Sequence, residues 1–85
     1  MQIPTQAGQI CKILTPLEDE DPADVYIITE DPSTFDSDDD IYVVNLRDLQ
    51  RNINEPAASP HIPVIKSKLT VVAENLEEYV RTWNN

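Results

Sequence analysis

The chain alternates short apolar runs with acidic or proline-containing breaks, and the runs follow two different periods. In residues 9–14, Ile10 and Leu14 fall on one face of an extended segment and Cys11 and Ile13 on the other, with Lys12 interrupting the first set. Both faces are partly apolar, as in a strand of a small closed barrel. Pro16 stops the run, because proline has no N–H for a ladder and biases Thr15 towards extended geometry. Residues 25–29 (Val, Tyr, Ile, Ile, Thr) form a second predicted strand, and Ile41, Tyr42, Val43 and Val44 a third. Asp40 marks the boundary between surface and core: the carboxylates before it need water, and the β-branched residues after it need cover.

After the third strand the period changes. Asn45 followed by Asp48 has the form of a helix start, and Leu46, Leu49 and Ile53 have helical spacing, which predicts one or two turns over residues 46–53. Residues 54–61, with Pro56 and Pro60 among small residues, read as an ordered connector. Residues 62–66 and 68–72 are two further strand candidates separated by Ser67 alone. They fit either a hairpin or one bent strand, and Pro63 suits a sheet edge. Asn75 with Glu78 repeats the cap pattern, and Leu76, Tyr79, Val80 and Trp83 fall at i, i+3, i+4 and i+7. This stripe is expected to cover the protein's own sheet, because each side chain left in water forfeits roughly 1.5–3 kcal/mol. Glu77 and Glu78 at the start and Arg81 near the end suit the helix dipole.

The fold class that follows is β-rich (α+β): a small antiparallel meander or a five-stranded barrel of SH3-like or OB-like size. It carries a short helical turn after the third strand and a C-terminal amphipathic helix. An open α+β sheet with the helix on one face is the alternative. At 85 residues the chain has room for one domain. Residues 1–8, with Pro4 and the single glycine Gly8, read as a flexible lead-in to a globular domain over residues 9–85.

Charge changes this picture more than composition does. Residues 1–44 hold eleven acids against one base, Lys12, whereas residues 45–85 are neutral, so the first half carries the whole net charge of -10. Such a surface repels nucleic-acid phosphates and anionic membranes and attracts basic proteins and cations. The expected partner is a basic protein, with no direct nucleic-acid or membrane contact and a monomer or weak homo-oligomer as the assembly. No apolar run approaches a membrane span and no signal-peptide pattern is present, so the expected location is cytoplasmic. The single Cys11 excludes an internal disulfide and a multi-cysteine zinc site within one chain.

Candidate chemistry is sparse. Asp36, Asp38 and Asp40 alternate like the start of a calcium loop, but the glycine of that motif falls at Ile41 and its closing glutamate at Arg47. The stretch reads as a solvated acidic loop and no metal or other cofactor is expected. His61 has only Cys11 or a hydroxyl to pair with, and lies among prolines. The carboxylates cluster in exposed loops where nothing separates their pKa values. The expectation is therefore no enzyme. Two functions remain: an adaptor-type module that binds a basic protein, and an immunity-type or nucleic-acid-mimicking inhibitor of one. The candidate partner-binding residues are Asp36, Asp38, Asp39 and Asp40, with Phe35, Tyr42 and Trp83 as apolar anchors and Tyr26 as a further aromatic. In a meander, residues 18–24 and 30–40 lie at opposite ends of the second strand, about 17 Å apart, which weighs against one continuous phosphate-like face.

Overall fold

β-branched and aromatic residues carry every strand of the sheet. The computed structural model describes residues 2–14 and 23–82. The strands are β1 (Ile10–Ile13), β2 (Tyr26–Ile28), β3 (Asp40–Asn45), β4 (Ile62–Ile65) and β5 (Leu69–Ala73). They make one antiparallel sheet in the order β4-β3-β2-β1-β5, with α1 (Leu46–Arg51) after β3 and α2 (Leu76–Arg81) after β5. The described residues thus make a small α+β structure with a five-stranded antiparallel sheet and two short helices. Among the described residues no helix is long and apolar enough to cross a membrane.

The last two strand candidates form neither a hairpin nor one bent strand. β4 and β5 are the two opposite edges of the sheet, joined only by a 3₁₀ turn, Lys66–Lys68. In a flat sheet those edges would stand about 19 Å apart, four strand spacings of roughly 4.8 Å. Four peptide steps from Ile65 to Leu69 reach at most about 14 Å. The sheet must therefore curl. Three main-chain bonds seat the turn: Leu14 N–H donates to the Lys68 carbonyl (2.8 Å), Lys66 N–H to Asp39 (2.9 Å) and Ser67 N–H to Ser37 (2.9 Å). The Lys66 ammonium donates to the carbonyls of Pro32 (2.7 Å) and Phe35 (2.9 Å), which ties the loop before β3 to the same corner.

The two-faced pattern of β1 has its reason in this curvature. Cys11 belongs to the main core with Tyr26, Ile28, Ile41, Val43, Val64 and Leu69, while Ile10 faces the other way with Val25 and Ala73. Leu46 of α1 and Tyr79 of α2 pack on that second cluster. Leu69 and Val71 face the main core, so strict alternation would put Ala73 there too. A register shift prevents this: Cys11 pairs with Val71 but Ile10 with Ala73, which turns Ala73 onto the outer face beside Ile10. The stretch before β1 is anchored by the fully buried Gln9. Its Oε1 accepts from Thr5 N–H (2.7 Å) and Gln6 N–H (3.1 Å), and its Nε2 donates to Thr5 Oγ1 (3.1 Å) and Glu74 Oε2 (2.8 Å). Every polar group of that buried amide is satisfied, which burial requires.

Both sheet edges are guarded. Pro63 lies on the edge strand β4, opposite Tyr42. The Tyr42 carbonyl accepts from Thr29 N–H (3.3 Å) and its N–H donates to Glu30 Oε1 (2.7 Å), so both groups point towards β2. The Tyr42–Pro63 pair is then a non-hydrogen-bonded one, and the N–H that proline lacks is missing from the outer edge rather than the ladder. On β5, Val71 N–H donates outwards to the Gln2 carbonyl (2.8 Å).

Two outcomes are expected. Replacing Lys66 by Met removes two charge-assisted bonds to carbonyls and should lower stability by about 2 kcal/mol, read as a lower urea midpoint with an unchanged m-value. Pro63→Val restores a donor to an exposed edge and should promote self-association. Sedimentation at rising concentration checks this, and a variant that stays monomeric would show that the edge is closed by something other than proline.

Candidate functional site

Two surfaces stand out from the rest of the molecule, one acidic and one apolar. The acidic one is the loop between β2 and β3. It opens with a 3₁₀ turn, Pro32–Thr34, capped by Asp31, whose Oδ1 accepts from Ser33 Oγ (2.6 Å) and Ser33 N–H (3.0 Å). These bonds, the hydroxyl's foremost, hold the Asp31 carboxyl below its usual range, and the Lys66 charge adds to them. A second turn follows, in which Asp39 Oδ2 accepts from Asp36 N–H (2.9 Å) and Asp39 N–H donates to the Asp36 carbonyl (3.0 Å). Asp36, Asp38, Asp39 and Asp40 are all exposed, and none forms an ion pair with a described residue. By contrast, all three arginines are paired elsewhere: Arg47 with Asp24, Arg51 with Asp48 (3.6 Å) and Arg81 with Glu77 (2.6 Å).

The aromatic candidates divide. Phe35 is half-buried and folds back against the main core, and Tyr26 is buried within it. Tyr42 is 48% exposed and shares the outward face of β3 with Asp40, two residues away. It is the aromatic that the structure places beside the acidic loop. Trp83 and residues 15–22, which include most of the first acidic run, lie outside the described residues.

The apolar surface is a groove of about 430 Å³ between α1 and α2. Its α1 wall comes from Leu46, Leu49 and, just beyond the helix, Ile53, and its α2 wall from Leu76, Tyr79 and Val80. The local sequence explains both walls. Asn45 caps α1 by accepting from Arg47 N–H (2.8 Å), and Asn75 caps α2 by accepting from Glu78 N–H (2.8 Å). Each cap fixes the phase of an apolar stripe. The rim is held by Asp24, which pairs with Arg47 and accepts from Asn45 Nδ2 (3.0 Å), tying the start of α1 to the segment just ahead of β2. Tyr79 covers the sheet as expected of its stripe, whereas Leu76 and Val80 remain 43% and 38% exposed, and Ile53, expected within the helix, lies past its end at 69%. The spacing of each stripe was legible in the sequence. Their meeting was not, because it depends on β5 crossing to pair with β1.

The nucleophile candidates do not come together. Cys11 is fully buried in the main core, His61 is exposed ahead of β4, and neither lines the groove. Burial pushes the Cys11 thiol up to about 12, with the Glu74 carboxylate adding to it, so it stays a neutral core side chain at physiological pH. Among the described residues no three His, Cys, Asp or Glu side chains converge as a metal-ligand set. Comparison with protein families, curated proteins and solved structures finds no match to the chain.

The thiol gives a pH dependence with a definite sign. Its folded-state value lies above the unfolded one, so the folded chain keeps a proton that the unfolded chain releases. The stabilising contribution is full below about pH 9 and is lost as pH rises to about 12. Cys11→Val should therefore flatten part of the alkaline decline in urea-unfolding stability, relative to wild type measured across the same pH series.

Proposed function

We propose that the chain is a non-enzymatic, acidic protein-binding module of adaptor type, whose sheet closes as a small SH3-like barrel and whose partner is a basic protein. The observation that carries this reading is the segregation of charge. Asp24, Asp48 and Glu77 are matched with the three arginines on the helical side, while Asp36, Asp38, Asp39 and Asp40 face water with no pairing cation among the described residues. Four carboxylates on a turn built by its own hydrogen bonds make a concentrated negative field. Such a field speeds the encounter with a positively charged surface and decays within a Debye length of about 8–10 Å at ordinary salt. Tyr42 beside Asp40 supplies a large contact side chain suited to a lysine or arginine, through its ring face as well as its area. For barrel closure the support is the 3₁₀ turn of Lys66–Lys68, which joins the two edge strands.

A second reading, an inhibitor that covers the basic site of a nuclease or toxin, gains from the same corner. In the chain, Asp24 lies just before β2 and residues 36–40 follow it. Leu14 is bonded to Lys68, and Ser37 is bonded to the adjacent Ser67. The curl thus sets the end of β1, at Leu14, close to the turn that carries Asp36, Asp38, Asp39 and Asp40.

Capture from native lysate on the immobilised chain, at low and at high salt, tests the reading. A basic protein retained at low salt, released by high salt, and lost when Asp36, Asp38, Asp39 and Asp40 are all changed to Asn is the expected result. If nothing basic is retained at low salt, both readings fail. The adaptor is separated from the inhibitor by adding the chain to the captured protein in equal amount. Loss of that protein's activity assigns the inhibitor, and unchanged activity the adaptor.

A further inference from the structure

Residues 2–9 take no part in the acidic surface, yet they lie against the sheet. Gly8 N–H donates to the Ile28 carbonyl (2.8 Å) and the Gln9 carbonyl accepts from Ile28 N–H (3.0 Å), which pins the segment to the end of β2. Gly8 has a φ of 90°, a backbone geometry that glycine adopts at no steric cost, and so turns the chain into β1. Ahead of that turn the buried Gln9 amide holds Thr5 and Gln6, and Pro4 is fully buried. The root of the segment is therefore locked. Its tip is not. Gln2 is exposed and Ile3 is 42% exposed, and the tip meets the sheet through one main-chain bond among the described residues, from Val71 N–H to the Gln2 carbonyl.

Val71 marks the open side of β5. It lies opposite Cys11 of β1, but its N–H points away from β1, and in antiparallel geometry its carbonyl then points the same way. A neighbouring strand would bond both groups, whereas the tip bonds one. In a parallel arrangement the second donor is the N–H two residues after Gln2, and Pro4 has none. In an antiparallel arrangement it is the N–H of Gln2 itself, which makes no bond to Val71. We propose that residues 2–9 are a releasable strap, and that lifting its tip frees the outer edge of β5 to take an extended segment of a partner by strand addition. The segment that fits offers a carbonyl to Val71 N–H and, where the strap has Pro4, an N–H to the Val71 carbonyl, one bond more than the strap makes. Val72, 41% exposed, adds an apolar contact beside it. On the opposite edge the proline is part of β4 itself and cannot be lifted away, so β5 is the edge that accepts. The acidic loop and the charge of the partner do not enter this inference.

Native-state hydrogen exchange on the full-length chain, in rising urea below the unfolding transition, tests the release. After correction for intrinsic rates, the Val71 amide should exchange at least about tenfold faster than those of Thr70 and Lys12, which pair across β5 and β1, and with little dependence on urea. Equal exchange at all three amides, rising together with urea, would mean that the strap leaves only on global unfolding, and the proposal would fall.

Strand addition is read with a chain lacking Gln2 and Ile3, which keeps Pro4 and the bonds of Gln9, and with a short peptide of alternating threonine and valine between terminal lysines. The peptide should move the amide signals of Thr70, Val71 and Val72, and should bind the shortened chain at least about tenfold more tightly than the full-length one. The same peptide N-methylated at every threonine and valine keeps its charge and loses its main-chain donors, and should bind at least about tenfold more weakly. No binding to the shortened chain, equal affinity for the two chains, equal binding of the methylated peptide, or signal changes confined to β4 or to residues 36–40 would each overturn the proposal.

Discussion

Three residues connect the two edges of the sheet, and the rest of the architecture depends on that shortness. With Lys66–Lys68 as the only link between β4 and β5, the sheet cannot lie flat. Curvature gives it an inside and an outside. The inside is the core around Cys11, Ile41 and Leu69, and the outside takes the smaller cluster on which Leu46 and Tyr79 pack. The bonds from Leu14, Lys66 and Ser67 fasten the turn to β1 and to the loop before β3, so the corner also sets where the acidic residues stand. A longer link would leave all of these positions adjustable.

Much of this was legible along the chain because it is local. The positions of the five strands follow from β-branched runs between acids and prolines. Both helix starts follow from asparagine caps three residues ahead of an acid, and the edge placement of β4 follows from Pro63. What the sequence did not disclose depends on contacts between distant residues. Nothing in residues 62–73 distinguishes a hairpin from a crossing to β1, since either would bury Val64 and Leu69. The shift that turns Ala73 outward is a property of a paired strand, and periodicity in one strand does not contain it. The groove is a consequence of both, for α2 reaches α1 only after β5 has crossed.

The two surfaces of the molecule are unlike in physical character. Around residues 36–40 the interaction is long-ranged, unneutralised and sensitive to salt. Between α1 and α2 it is short-ranged and apolar, with the nearby charges largely balanced among themselves. β3 starts at the first with Asp40 and ends at the second with Asn45, so one strand of six residues holds them a fixed distance apart.

The pairing of β1 with β5 also bears on how the chain reaches its structure. Lys12 and Thr70 are partners across about 58 positions, whereas each hairpin from β1 to β4 joins neighbours in sequence. Bringing such distant segments together pays loop entropy before any contact rewards it, which places the domain among slower folders, on the order of milliseconds to seconds. Until that closure, β1 has one unpaired side, with its apolar residues uncovered on both faces. Mutual repulsion between chains of net charge -10 acts throughout this interval, so the chain's acidity also keeps unfinished copies apart.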